Sequence, residues 1–286
     1  MTMALNRNSN VYTVIYATVL TVLVAILLTV AAVGLAPQQK ANSDNEKKQQ
    51  ILSSISSVLG KDVTLDNAAQ IWDELKMDEN LLAVNVEGAQ LEGVNVFELV
   101  AKQQFSKGVV KTDAQLPVFC ANVEGNTYYI MCMYGAGLWD AIWGYIAVDA
   151  EGQVYGCSFD HAGETAGLGA KIKDDPKFAE AFIGKNIWKD GELASVAVTK
   201  PGKANPYVAG GETVDCITGA TKTSDCVSYM VYESLKGYKN FMLSIKPMLL
   251  EGKCCEGEGK CCMGEGNCCE KEGETPCCEN VEPVNE

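Results

Sequence analysis

The sequence is poor in histidine and has an excess of acidic over basic residues. Its 286 residues include one histidine, His161, which excludes a metal site made from several histidines. Lysine and arginine together number 23, against 37 aspartate and glutamate residues, and the formal net charge is −14. Because the phosphates of nucleic acids need basic partners, this charge argues against a nucleic-acid-binding protein.

The common nucleotide-binding motifs are also missing. The sequence contains no Gly-x-x-x-x-Gly-Lys-Ser/Thr phosphate loop. Gly135 and Gly137 are separated by one residue, but no third glycine follows at the spacing of a dinucleotide fingerprint. Any redox chemistry must therefore use a cofactor that is held in another way.

One long apolar segment follows a short N-terminal stretch, residues 1–10. Residues 11–36 are 26 consecutive uncharged, mostly apolar positions, and Pro37 comes next. About 20 such residues span a bilayer, whereas the apolar core of a cleavable signal peptide has about 7–15. A buried core helix, the other alternative, would be amphipathic. We therefore predict a single transmembrane helix over residues 11–36.

The remainder of the chain changes character at Leu116. Residues 37–115 predict a helical stalk and a small bracing α/β region, with a helix over 65–77 and a strand over 82–86. From Leu116, short β-branched and aromatic segments alternate with turns, which is typical of antiparallel strands. The predicted strands are 118–123, 128–133, 144–148 and 153–159, with helices over 176–183 and 223–238. Residues 116–246 are therefore predicted to form an α+β domain, an antiparallel sheet flanked by helices.

A turn rich in hydroxyl groups precedes the last predicted helix. Residues 215–221 read Asp-Cys-Ile-Thr-Gly-Ala-Thr, and Lys-Thr-Ser follow. A helix N-terminus presents free N–H groups and a partial positive charge, so it can hold a phosphate. The residues alone favour ordinary N-capping by threonine and serine side chains over a phosphate site.

Two further segments are rich in glycine, which is typical of loops whose backbone lies close to a ligand. Residues 135–139 read Gly-Ala-Gly-Leu-Trp, and residues 161–169 read His-Ala-Gly-Glu-Thr-Ala-Gly-Leu-Gly. Glycines on both sides of Leu168 allow the backbone to approach a flat ring, although a glycine-rich hairpin return fits equally well. Trp139 and Trp143 are more often core aromatics than ligand contacts. For His161 a structural hydrogen bond is favoured over catalysis.

The three segments, in this order, resemble the FMN-binding domain family, and within it the C-subunit family of sodium-translocating NADH:quinone reductases. Ala166 stands where that family usually has proline. The resemblance implies FMN joined to Thr221 through a phosphoester bond. It implies a cofactor site containing these residues: Trp139, Glu164, Thr165, Leu168, Gly169, Asp215, Thr218, Gly219, Ala220, Thr221, Lys222 and Thr223.

The resemblance also implies a function. The chain would be a membrane-anchored flavoprotein subunit of a sodium-pumping NADH:quinone oxidoreductase, relaying electrons while other subunits bind NADH, ubiquinone and sodium. A flavin transferase would attach the FMN. The domain would lie on the periplasmic side of the inner membrane, although the lysines after the span weakly favour the opposite orientation. The related G-subunit of the RNF ferredoxin:NAD oxidoreductase complex is the near alternative, and the long stretch 37–115 favours the quinone reductase.

The segment 247–286 is acidic and rich in cysteine. Ten glutamates and three lysines give residues 251–286 a net charge of −7, with too few apolar residues to build a core. Eight of the 13 cysteines stand there as adjacent pairs: Cys254, Cys255, Cys261, Cys262, Cys268, Cys269, Cys277 and Cys278. Reduced thiolates select soft ions such as Zn²⁺ or Cu⁺, whereas an oxidising compartment favours disulfides. We predict that this tail is disordered without a ligand and binds soft metal ions when reduced. A non-enzymatic, membrane-tethered metal-binding protein, in which the tail is the function, is the distant alternative.

Overall fold

The computed structural model describes residues 10–246. The first ten-residue segment, apart from Asn10, and the cysteine pairs of 247–286 lie outside the described residues. Seven α-helices are described: α1 Asn10–Ser53, α2 Ser56–Leu59, α3 Ala68–Glu74, α4 Ala101–Gln104, α5 Lys171–Asp174, α6 Pro176–Glu180 and α7 Thr221–Ile245. Two 3₁₀ turns cover Met77–Glu79 and Val96–Glu98.

Twelve strands are described, most of them short. The first six are β1 Leu81–Val84, β2 Gln90–Leu91, β3 Phe105–Ser106, β4 Val109–Val110, β5 Leu116–Val123 and β6 Asn126–Ala136. The others are β7 Ala141–Val148, β8 Val154–His161, β9 Trp188–Lys189, β10 Glu192–Leu193, β11 Ala197–Thr199 and β12 Thr213–Asp215.

Helix α1 contains both the predicted membrane segment and the predicted stalk. It continues through Pro37 for 44 residues, and by length and composition it is the one described helix that could cross a membrane. Its apolar side chains between Val11 and Leu35 are exposed, whereas Ile51 and Leu52 are fully buried in the domain core. The helix therefore enters the core with its last turn and leaves its apolar half uncovered.

The predicted antiparallel sheet is present and has six strands in the order β2-β1-β5-β6-β7-β8. All four strands predicted after Leu116 are confirmed, each with a start or an end displaced by a few residues. Each pairs antiparallel with the next, for example through Phe119↔Ile130 and Cys132↔Tyr145. Strand β1 extends the sheet beyond β5. Two small antiparallel pairs, β3–β4 and β9–β10, and the parallel pair β11–β12 lie outside this sheet.

Helices cover both faces of the sheet. On one face α7 lies against β6, and a methyl group added at Gly135 would come within 2.8 Å of the Met230 side chain. The short helix α6 covers β8 on that face, where the rings of Phe159 and Phe178 are 5.4 Å apart. The opposite face packs against α3, with Trp72 and Phe119 in edge contact at 6.1 Å.

The end of α1 and the short helix α2 that follows it run along β8 in the opposite direction. Ser57 donates a hydrogen bond to the Tyr155 carbonyl, and seven residues earlier Gln50 donates to Asp160 Oδ2 at 2.8 Å. The end of β8 is therefore directed toward the apolar half of α1. Gln50 lies about 21 Å along the helix from Ala36, at 1.5 Å per residue. Strand β6 runs parallel to β8, and α7 runs antiparallel to β6, so all three motif segments meet at this end of the domain.

Candidate functional site

The turn before α7 leaves the first N–H groups of the helix open. Ala220 occupies the N-cap position, and no side chain caps the helix. The Ser224 hydroxyl instead accepts the N–H of Ile217 at 3.1 Å. The predicted N-capping by hydroxyl groups is therefore wrong. Among the described residues, the backbone N–H groups of Thr221, Lys222 and Thr223 have no hydrogen-bond acceptor, which is the arrangement that holds a phosphate.

The three threonines of this turn differ in exposure. Thr218 is exposed, Thr221 is partly exposed, and Thr223 is buried with 1% of its surface accessible. Within the described part of the chain, the hydroxyls of Thr218 and Thr221 form no hydrogen bond, whereas that of Thr223 donates to Glu164. Thr221 thus combines an accessible hydroxyl with a place in the first turn of the helix.

A buried carboxylate joins the three motif segments. Glu164 is 7% exposed, and its Oε1 atom accepts the N–H groups of Leu138 at 2.8 Å and Trp139 at 3.1 Å. Its Oε2 atom accepts the Thr223 hydroxyl at 2.6 Å. Each of the other two segments therefore donates to Glu164, which fixes their relative positions.

Glycines surround this carboxylate because no side chain fits there. A Cβ atom on Gly137 would lie 2.5 Å from Glu164 Oε1, and one on Gly169 would lie 2.5 Å from Oε2. Gly219 has a φ of +81°, and an added Cβ would lie 3.0 Å from Leu168 Cδ2. The glycines of the motifs thus allow the Glu164 contacts and allow Leu168 to approach the turn before α7.

An exposed apolar rim lies beside the open helix N-terminus. Leu138 is half exposed, Trp139 is 70% exposed and Leu168 is 43% exposed. The indole N–H of Trp139 donates to Thr165 Oγ1 at 3.1 Å, which orients the ring. The prediction that Trp139 is a core aromatic is therefore wrong. Exposed apolar and aromatic side chains beside a site that can bind phosphate are suited to contact a flat aromatic ligand.

His161 has the structural role that was predicted for it. Its Nδ1 atom accepts the backbone N–H of Glu164 at 3.2 Å. The neighbouring carboxylate of Asp160 is 4% exposed and accepts from Gln50 at 2.8 Å and from Lys173 Nζ at 2.9 Å. Sequence reasoning missed these three residues, because Gln50 is 110 positions away from Asp160 and no local pattern connects them.

A cleft of about 320 Å³ lies on another side of the same turn. Residues of α5 and α6 line it together with residues 214–218, so it includes the predicted site residues Asp215 and Thr218. Trp139, Leu168 and Thr221 are not part of its lining. The structure thus places the predicted residues around one turn, with some on the apolar rim and others in the cleft.

Comparison with known proteins gives consistent matches. The family model of the FMN-binding domain matches residues 137–236, a range that begins inside the first motif and contains the other two. The C-subunit of the Na(+)-translocating NADH-quinone reductase of Vibrio vulnificus strain YJ016 is 28% identical over 220 residues, covering 73% of this chain and 84% of the relative. That of Vibrio alginolyticus is 26% identical over 263 residues, covering 85% and 98%.

Two solved structures resemble the fold. The crystal structure of the Na(+)-translocating NADH-quinone reductase C-subunit from Parabacteroides distasonis superimposes with a TM-score of 0.64. It is 44% identical in sequence, and the match covers 73% of this chain and 96% of that one. Shewanella oneidensis NqrC, with 23% identity and a TM-score of 0.56, matches 72% of this chain and 99% of its own, and supports the fold alone.

Proposed function

The chain belongs to the C-subunit family of the Na(+)-translocating NADH-quinone reductases, and on this premise we propose that it carries FMN on Thr221 and passes electrons within a membrane-bound reductase complex. Membership makes it a flavoprotein subunit of an oxidoreductase and favours the quinone reductase over the ferredoxin-linked alternative. The observation that carries the proposal is the accessible Thr221 hydroxyl at an uncapped helix N-terminus beside an exposed apolar rim.

The residues present fit an FMN phosphate. Three N–H groups of the first turn of α7 are open within the described part of the chain, and the helix dipole adds a partial positive charge. Gly219 at positive φ keeps the turn free of a side chain that would touch Leu168. Lys222, whose side chain is largely exposed, adds a cation next to Thr221. These features support a covalently held phosphate group at this position.

Attachment through a phosphoester requires an activated flavin phosphate, such as a flavin dinucleotide. The Thr221 oxygen forms the new bond to phosphorus, the phosphoanhydride bond breaks, and the nucleotide leaves. The hydroxyl proton passes to a base of a separate flavin transferase. The part of this chain is to present one hydroxyl in a fixed place.

The apolar rim receives the ring of the cofactor. Trp139 and Leu168 offer apolar surface, and Thr165 holds the indole in place. Once bound, FMN supplies the electron-transfer chemistry, and the protein positions the ring and sets its electrostatic surroundings. Asp215 and Thr218 face the neighbouring cleft, where they border the same turn.

The electron partners are other subunits embedded in or near the membrane. The site lies at the end of the sheet that is directed toward the apolar half of α1. A cofactor at this end is close to membrane-bound partners, which supports a single-pass anchor. We place the FMN domain on the periplasmic side of the inner membrane because the family resemblance implies that side. NADH, ubiquinone and sodium are then bound by other subunits.

Fluorescence of a denaturing gel under ultraviolet light tests the attachment. The full chain, produced together with a flavin transferase, is expected to give a fluorescent band, and Thr221→Ala is expected to abolish it. Thr213→Ala, a threonine of β12 outside the predicted site, serves as the matched control and should keep the signal. A bright band from Thr221→Ala would refute the assignment. Purification of the intact complex, followed by identification of its other subunits, tests the proposed partners.

A further inference from the structure

We propose that Glu164 is a positioning residue that assembles the flavin site before the cofactor is attached and makes Thr221, rather than Thr223, the acceptor. This inference rests on the proposed function. It starts from the three hydrogen bonds that Glu164 accepts, two from the backbone of residues 138–139 and one from the Thr223 hydroxyl. None of these donors depends on a ligand.

The Glu164 carboxylate is directed into the protein. It is 7% exposed, and both of its oxygens already accept hydrogen bonds from protein groups. The backbone of Gly137 lies against one carboxylate oxygen and the backbone of Gly169 lies against the other. The carboxylate therefore acts on the cofactor site through Trp139 and Thr223, which it holds in place.

The hydrogen bond between Thr223 and Glu164 also determines the direction of the Thr221 side chain. Side chains two positions apart on an α-helix point about 200° apart. With Thr223 held inward by Glu164 at 2.6 Å, the side chain of Thr221 is directed outward, and it is partly exposed. The hydrogen bond thus orients the residue that is to be modified without touching it.

Thr223 is unsuitable as an acceptor for a steric reason. A carboxylate that accepts a hydroxyl proton can activate that hydroxyl as a nucleophile, so Glu164 would be a possible base for Thr223. Thr223 is only 1% exposed, however, and a phosphorus atom cannot reach its oxygen. Burial against Glu164 therefore removes one of the three threonine hydroxyls of the turn from the reaction.

The test uses the full chain in detergent, purified without flavin and then incubated with flavin adenine dinucleotide and a flavin transferase. The rate of attachment is read from gel fluorescence, and mass spectrometry of peptides locates the flavin. Thr223→Val removes the donor with little change in volume, whereas Thr223→Ser keeps it. The lost hydrogen bond to a charged group predicts roughly tenfold slower attachment for Thr223→Val. Glu164→Gln keeps an acceptor oxygen but loses the charge, so a smaller slowing is expected, and Thr223→Ser should be near normal.

The outcomes separate this inference from the proposed function. Slow attachment in Thr223→Val together with a normal rate in Thr223→Ser supports the inference. This comparison is valid even if Glu164→Gln does not fold. The double variant should be slowed by less than the product of the two single effects, because both variants weaken the same contact. Normal rates in both single variants would overturn the inference while leaving FMN on Thr221 intact. Wild-type protein without flavin on Thr221 would overturn both.

Discussion

The hydroxyl of Thr223 donates a 2.6 Å hydrogen bond to Oε2 of Glu164, across 59 positions of sequence. The other oxygen of the same carboxylate accepts from the backbone of residues 138–139. One buried side chain therefore joins the loop after β6, the loop after β8 and the start of α7. The three motifs of the sequence form one structural unit because of this residue.

A charge on the apolar rim should change the flavin. Leu168→Asp would place a carboxylate beside the proposed ring position, and a negative charge there disfavours the electron-rich reduced form. We expect a lower midpoint potential in spectroelectrochemical titration, together with a shifted absorption spectrum. Leu65→Asp is the control, since Leu65 is similarly exposed but lies in the segment before α3. An unchanged potential in Leu168→Asp would place the ring elsewhere.

Gly219→Ala should destabilise the domain and slow flavin attachment. The residue has a φ of +81°, and the new methyl group would lie 3.0 Å from Leu168 Cδ2. Alanine at positive φ costs about 1 kcal/mol, and the contact with Leu168 adds to this. Gly202→Ala is the matched control, because its φ is +76° and nothing lies within 4 Å of the added atom. Thermal unfolding should show a larger decrease in melting temperature for Gly219→Ala than for Gly202→Ala. Equal decreases would argue against the Leu168 contact.

The contact between α1 and the end of β8 should be important for stability. Asp160→Ala would leave the amide of Gln50 without its acceptor and remove the partner of Lys173. We expect a loss of about 1–3 kcal/mol in denaturant unfolding. Glu74→Ala, which breaks the exposed pair with Lys61, is the control and should leave stability nearly unchanged, because water screens an exposed ion pair. A similar small effect for both variants would contradict the importance of the buried network.

Buried thiols should make the fold sensitive to alkali. Burial raises the pKa of Cys120 from 9.0 to about 12 and that of Cys132 to about 11. In this range the folded state keeps protons that the unfolded state has lost, so stability falls as pH rises. The stability that the two protonated thiols contribute is fully present below pH 9.0, and it decreases as the pH rises toward about 11–12.

Urea unfolding at several alkaline pH values measures this effect. Cys120→Ala is expected to reduce the loss of stability between pH 9.0 and about 12. Val118→Ala, which removes buried side-chain volume but no titrating group, is the control and should leave the pH dependence unchanged. Identical pH profiles for wild type and Cys120→Ala would contradict the prediction.

The cysteine pairs of residues 254–278 remain a prediction from sequence alone. When reduced, they should bind Zn²⁺, which native mass spectrometry of the full chain can detect against a variant that ends at Glu251. The shortened chain should lose the metal and keep flavin attachment, because the three motifs end before residue 247. No bound zinc at micromolar concentration would refute the metal site.

Local patterns in the sequence determined much of the fold. The apolar run of residues 11–36 predicts a transmembrane helix, and the short β-branched segments after Leu116 predict the four central strands, since both signals depend on near neighbours. The pairs β9–β10 and β11–β12 were not predicted. Their strands have two or three residues, too few to show a period, and β11 pairs parallel with a strand 16 positions later.

Only the tertiary structure decided how the motifs are used. The hydroxyls around the start of α7 resemble helix caps, but Thr223 donates to Glu164 and Ser224 accepts from Ile217, which leaves the helix N-terminus open. Trp139 has the character of a core residue, yet it lies at the surface because the loop after β6 is held by a carboxylate 25 positions away. Such contacts join residues that are distant in the chain, and no local pattern records which partner a polar side chain will find.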